Sequence, residues 1–279
     1  MFEVFRKFQM KLNPLKCAFG VSSGQFLGHV VSKRGIEPSP TQMRTLSEIQ
    51  EPKTVRDVQS LAGKVAALSR FISKMSDKCK PFFRCIKQSS TLEWGEEQSE
   101  ALRELKKYLS TAPILSAPAE EEDLYLYLAL SDVAVSGVLV REDEGKQKPV
   151  FYTSKMLLDA ETRYSKMEKM VLALVTAKKK LRHYFESHTI VVMTNCPIGQ
   201  ILSKPDLSGR LTKWAIELGV YDIKYVSRNA KKGQVLADFL VEIQSFEPPE
   251  KEVMTLPEEE MAWIMNTEEH QTSKEQGLG

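Results

Sequence analysis

The chain has little that would fix a metal, a disulfide framework or a membrane anchor. Its 279 residues contain four cysteines, Cys17, Cys79, Cys85 and Cys196, and no Cys-x-x-Cys pair. Nor does a histidine near them complete a zinc set. The cysteines are expected to be reduced thiols and small buried hydrophobes. The four histidines, His29, His183, His188 and His270, show no spacing suited to a metal or a catalytic triad. The longest apolar runs are short, such as Val171 to Val175. They fall far below the roughly 20 residues of a membrane span. The opening Met-Phe-Glu-Val-Phe-Arg-Lys-Phe lacks the long apolar core of a signal peptide and reads as an amphipathic helix. An intracellular location, cytoplasmic or nuclear, is expected. Repeats of solenoid period are absent too.

What is present is a foldable composition, 42% hydrophobic and 27% charged, of a length suited to two domains and part of a third. The net charge of +2 hides an asymmetry. Residues 1–116 hold 19 Lys and Arg against 11 Asp and Glu, a net +8. Residues 117–123 carry −4, residues 124–244 carry +5 and residues 245–279 carry −7. Two basic bodies are thus separated by a short acidic connector and followed by an acidic stretch. Modest basic excess on both bodies is compatible with a polyanionic partner. The Pro- and Glu-rich stretches from Ala112 and from Glu247 read as extended linkers.

In the first body, residues 2–12 read as a helix end stopped by Asn13-Pro14. Cys17–Val21 and Phe26–Ser32 read as strands joined by Ser22-Ser23-Gly24. A short helix opens at Ser39-Pro40. A strong helix is predicted over Thr54–Ile72, capped by Thr54 with Asp57 at its third position. Its Val55, Val58, Leu61, Val65, Leu68 and Ile72 form a core stripe. Arg56, Lys64, Arg70 and Lys74 fall on the opposite side, a pattern suited to tracking a nucleic-acid backbone or simply to facing solvent. Helices are expected over 81–87 and 96–109. The second body is expected to run β-β-β-α-β-α-β-α, with a long helix from Ala160 to Tyr184 and a last helix over 233–243. The fold class is therefore α/β, with an α+β remnant and a helical unit preceding a mixed sheet.

That order matches the ribonuclease H fold, and the residues carry the likeness further. Lys11-Leu-Asn-Pro-Leu-Lys-Cys-Ala-Phe-Gly20 and the following residues through Gly35 resemble the last palm segment of reverse transcriptases from Ty3/gypsy-type LTR retrotransposons. Gln59-Ser-Leu-Ala-Gly63 through Arg70-Phe-Ile72 resembles that family's thumb helix. Leu92-Glu-Trp-Gly-Glu-Glu97 through Ala112-Pro-Ile-Leu115 resembles the segment leading into its RNase H domain. Within 124–244, Lys148-Pro-Val-Phe-Tyr-Thr-Ser-Lys155, Glu161 to Lys169, Gly209-Arg-Leu-Thr-Lys-Trp214 and Ala237-Asp-Phe239 carry the match. The resemblance covers about residues 1–244. It implies a palm remnant at 1–36, a thumb and helical connection at 37–116, an acidic linker at 117–123, an RNase H-like domain at 124–244, and an acidic linker at 245–279. That last stretch also holds Trp263-Ile-Met-Asn-Thr, similar to the opening strand of a second RNase H domain.

The same resemblance questions the chemistry. The family's polymerase aspartates lie in a hairpin upstream of the segment that matches here, so polymerization by this chain alone is not expected. RNase H activity needs about four carboxylates holding two divalent metals. Carried over one at a time, the first position is Ala129, the second Met170 and the third Asn195, while Asp238 retains the fourth. Glu168 lies two residues before Met170, about 200° around a helix. Asp132 follows the strand end by three residues. An alkyl and a thioether give no hard oxygen donor, which Mg²⁺ requires. No cofactor is expected, with Mg²⁺ or Mn²⁺ needed only if the nuclease site is active. The pattern resembles plant Tat-like lineages, in which a degenerate first RNase H acts like a retroviral connection domain.

Three readings follow. The first is a noncatalytic thumb and connection-like module that grips a template–primer or RNA/DNA hybrid, partnered by the rest of a Pol polyprotein, with no membrane and no small-molecule substrate. Its expected contacts are Arg56, Lys64, Arg70 and Lys74; Lys178, Lys179, Lys180 and Arg182 are weaker candidates, better read as a solvated charge run. The second is an active metal-dependent RNase H built around Asp238. The third is a genomic relic without a selected role.

Overall fold

The computed structural model describes residues 2–14, 17–88, 92–204 and 209–227, all within one compact unit, Met1–Ser245. Asp238, the helix expected over 233–243 and the acidic stretch 245–279 lie outside the described residues.

After helix α1 (Phe2–Lys7) comes a three-stranded antiparallel meander, β1 (Ser23–Phe26), β2 (His29–Ser32) and β3 (Gly35–Pro38). The turn of its first hairpin is Leu27-Gly28, with φ of 48° and 80°. A two-residue turn with both φ positive matches the twist of paired strands. It displaces the expected turn at Ser22–Gly24, so Cys17–Val21 is not a strand, and Phe19 and Val21 stand exposed. Gly35 ends the second turn with φ +133°, and a Cβ there would meet the Leu115 carbonyl oxygen at 2.1 Å. That close approach lets Ile36 and Leu115 exchange backbone hydrogen bonds of 2.7 and 2.9 Å, tying the linker to the meander.

A helical layer follows: α2 (Pro40–Ser47), α3 (Val55–Ala67), α4 (Met75–Lys78), α5 (Lys80–Gln88) and α6 (Glu96–Ser110). The predicted cap of α3 forms as a reciprocal box: Thr54 Oγ1 accepts from Asp57 N–H and the Asp57 carboxylate from Thr54 N–H. The helix is shorter than the apolar spacing predicts. It ends at Ala67, followed by a 3₁₀ turn over Ser69–Phe71 and a left-handed Lys74 with φ 49°. The change of path buries Leu68, Phe71 and Ile72 completely. The Tyr108 hydroxyl clamps it, accepting from Ser73 N–H and donating to the Phe71 carbonyl.

The remaining strands are β4 (Leu124–Leu130), β5 (Ala134–Asp143), β6 (Lys146–Met156), β7 (Ile190–Met193) and β8 (Ile223–Val226), in a mixed sheet of order β6-β5-β4-β7-β8. β4, β5 and β6 form an antiparallel meander; β7 is parallel to both β4 and β8. Alternation along β4 sends Leu124, Leu126 and Leu128 to one face, and Tyr127 and Ala129 to the other. The first face packs on α8 (Lys166–Lys180). The second shares a continuous core with Val58, Leu61 and Val65 of α3 and Leu102, Leu105 and Leu109 of α6. The single helix expected from Ala160 to Tyr184 is three: α7 (Asp159–Thr162), α8 and α9 (Arg182–Ser187). A capping box from Ser165 to Glu168 starts α8 anew. Helices α10 (Ile198–Leu202) and α11 (Arg210–Leu218) complete the α8 side.

Candidate nucleic-acid interface and candidate nuclease positions

Of the four basic residues expected on one helix, two share it. Arg56 and Lys64 are exposed on α3, about 12 Å apart along its axis. Asp57 lies between them, and its carboxyl is held below the usual range chiefly by its hydrogen bond with Thr54. Arg70 leaves the helix on the 3₁₀ turn and lies over the Phe151 ring at 4.7 Å. Lys74 occupies the left-handed position before α4, half-buried. The helix ends where its apolar stripe turns into the core, so the basic stripe ends there as well.

Most of the second basic run is engaged by partners within the chain, although only Lys178 is buried and Lys179, Lys180 and Arg182 are exposed. Lys178 is buried, pairs with Glu217 and sits 5.4 Å from the Tyr221 ring centre. That hydrogen bond holds the Glu217 carboxyl below its usual range. Lys180 donates to the Ser154 carbonyl at 2.5 Å, and Arg182 pairs with Glu186 at 2.6 Å. Lys179 remains mostly exposed, 3.9 Å from Glu217.

The positions that the RNase H resemblance points to are distributed across the sheet. Ala129, 4% exposed, sits near the end of β4 on the face toward the helical layer. Met170 belongs to the core under α8, on the opposite face. Asn195 follows β7, the parallel neighbour of β4, and is exposed. Glu168, two residues before Met170, is engaged locally: its carboxylate accepts from Ser165 N–H and Oγ–H and pairs with Arg210. The Ser165 backbone bond, first of all, lowers its pKa. Asp132 is exposed in the β4–β5 turn. Among the described residues no group of three or more His, Cys, Asp or Glu side chains is placed to hold a metal ion. A methyl, a thioether and a carboxamide do not fit a pair of hard divalent cations.

Sequence reasoning missed the groups that join the helical layer to this face. Ser76 N–H donates to Ser154 Oγ at 3.0 Å, Ser154 and Ser136 share a hydroxyl hydrogen bond of 2.9 Å, and Ser131 Oγ–H donates to Asp77 at 2.5 Å. Short polar residues with no apolar period give no signal of such a contact. The cysteines divide: Cys79 and Cys85 are buried, burial pushing the Cys79 thiol up to about 12, and Cys17 and Cys196 are half-buried. No helix among the described residues is long and apolar enough to cross a membrane.

Residues 94–192 match the family model for the RNase H-like domain found in reverse transcriptase. The chain is 28% identical over 237 residues to the retrovirus-related Pol polyprotein from transposon 297 of Drosophila melanogaster. It is 29% identical over 213 residues to the transposon Tf2-3 polyprotein of Schizosaccharomyces pombe. The chain is related to retrotransposon Pol polyproteins. The alignments take in 84% and 74% of this chain but 22% and 16% of those Pol relatives, so it corresponds to a minor part of their length. The fold is that of foamy viral protease-reverse transcriptase, solved with dsDNA and with an RNA/DNA hybrid. Each structure gives a TM-score of 0.62 over 75% of this chain, at 22% and 23% identity, and 45% and 29% of the foamy viral chains are covered.

Proposed function

We propose that the chain is a noncatalytic thumb and connection-like module of a Pol polyprotein that helps hold an RNA/DNA hybrid or template–primer duplex. The observation that carries this reading is the state of the nuclease positions. Three of the four offer no carboxylate, and the first is walled into the core shared with the helical layer. What remains on the surface of α3 is a rigidly capped helix with two exposed cations, suited to phosphate contacts that do not read sequence. The foamy viral relatives of this fold, bound to duplexes, support the choice of ligand. No divalent metal pair takes part in this reading.

The test is binding of a labeled RNA/DNA hybrid across a salt series, with hybrid cleavage assayed in Mg²⁺ and in Mn²⁺. Binding without cleavage is expected. Arg56→Ala with Lys64→Ala should weaken affinity and reduce the log–log salt slope by about 2, roughly one per phosphate contact. Arg70→Ala should act on stability and leave that slope unchanged, because its guanidinium stacks on Phe151. Metal-dependent cleavage lost in Asp238→Ala would sink the noncatalytic reading. An unchanged slope in the α3 double variant would remove α3 from the interface.

A further inference from the structure

Ala129, Ser136 and Ser154 are successive cross-strand partners on β4, β5 and β6, so their side chains form one row on one face. All three are small, and Ala129 and Ser136 are each 4% exposed. Helix α4 lies over β5 and β6 along this row. Its backbone comes close enough for Ser76 N–H to donate to Ser154 Oγ at 3.0 Å, and Ser154 is in turn bonded to Ser136. One residue on, Asp77 accepts from Ser131 at the end of β4, two residues past Ala129. The Tyr108 clamp on Phe71 and Ser73 fixes the turn that delivers α4. A helix backbone can approach a sheet this closely only where the side chains beneath it are small.

We propose that this row is a docking seam. The face that would carry the first nuclease carboxylate has become the floor on which α4 is seated, and the helical layer and the sheet are locked there as one body. The loss of nuclease chemistry is then double: the ligands are replaced, and the surface that a hybrid's scissile phosphate would have to reach is covered. Restoring the carboxylates would not restore cleavage. The inference rests on the reading of Ala129, Met170 and Asn195 as former nuclease positions.

Two measurements test it on the full chain. In hydrogen exchange on the unchanged protein, the Ser76 amide should be protected at least about 100-fold, and Ser154→Ala should remove that protection while α8 amides keep theirs. Exchange of Ser76 at the unprotected rate in the unchanged chain would overturn the seam, whatever the fate of any variant. The second measurement is cleavage of an RNA/DNA hybrid, in Mg²⁺ and Mn²⁺, by the triple variant Ala129→Asp, Met170→Glu, Asn195→Asp. No cleavage is expected. Ala129→Asp alone should lower the thermal midpoint by roughly 10 °C, because it buries an unpaired carboxylate, whereas exposed Asn195→Asp should barely move it. Cleavage by the triple variant but not by the unchanged chain would refute the covered face and uphold the assignment of the positions. Cleavage by the unchanged chain would refute the assignment itself, and the seam reading would fall with it.

Discussion

The two faces of the five-stranded sheet are held by different physics. Toward α8 the contact is almost purely apolar: Leu124, Leu126, Leu128, Val135, Leu139, Ile190 and Val192 meet Val171, Leu174, Val175 and Ala177. Polar bonds on that side, such as Lys178 to Glu217, sit at its margin. Toward the helical layer the apolar core continues, but at α4 it gives way to small side chains and hydroxyl bonds. Area holds the first face, and its strength is spread over many contacts. Geometry holds the second at α4, where a few hydrogen bonds decide whether one short helix stays seated.

The comparison breaks most visibly by truncation. Leu174 is fully buried in the α8 face, and Leu174→Ala should cost about 3 kcal/mol through lost burial and a cavity. Ser136→Ala on the other face removes one hydroxyl bond and should cost about 1 kcal/mol. Urea unfolding with matched slopes reads both. Equal losses would mean that the faces do not differ in kind.

An intermediate effect is expected at the clamp. Tyr108→Phe leaves Ser73 N–H and the Phe71 carbonyl without their shared partner, a loss of about 1–3 kcal/mol. The same variant should raise exchange at Ser76 while leaving the α8 amides protected. If α8 amides lose protection in step with Ser76, the helical layer and α8 open together and the clamp has no local role.

Much of this division was legible in the sequence. The alternation of Leu124–Leu130 predicted β4 residue for residue, and the Thr54–Asp57 box placed the start of α3. The break before α8 was also readable: Ser165 and Glu168 form a capping box inside what the apolar run alone suggested was one helix. The end of α3 was not. Leu68 and Ile72 keep helical spacing, yet with Phe71 they bury more completely by turning toward β6, so tertiary packing overrode the period. The basic stripe failed for the same reason, since Arg70 and Lys74 were placed on a helix that had already ended. The motifs single out Ala129, Met170 and Asn195 as the positions to compare with a nuclease site. That α4 lies over β5 and β6 on the sheet face that carries Ala129 could not be read from them, because a helix of only four residues, Met75 to Lys78, leaves no periodic trace.

The smallest expected effect uses pH to separate the two sides. His29 on β2 packs edge-on against Phe71 at 5.4 Å; burial first, and then the Arg70 charge, lower its pKa from 6.5. A base with a depressed folded pKa contributes stability that is complete above 6.5, where folded and unfolded chains are both neutral. It is lost as pH falls from 6.5 through the lowered value. Glu168 and Glu217, on the α8 side, behave oppositely in charge. Their pKa values lie below 4.5, so their contribution is held above 4.5 and lost as pH falls through the lowered values. A descending pH series should therefore loosen the meander and the Phe71 turn first, and the α8 margin only at lower pH. Amide exchange resolved by segment reads the order. His29→Gln should flatten the upper step by less than Tyr108→Phe costs, and leave the lower one in place. A single step below 4.5 in the unchanged protein would show that His29 is not held neutral by the fold, and that acid acts on both faces through carboxylates alone.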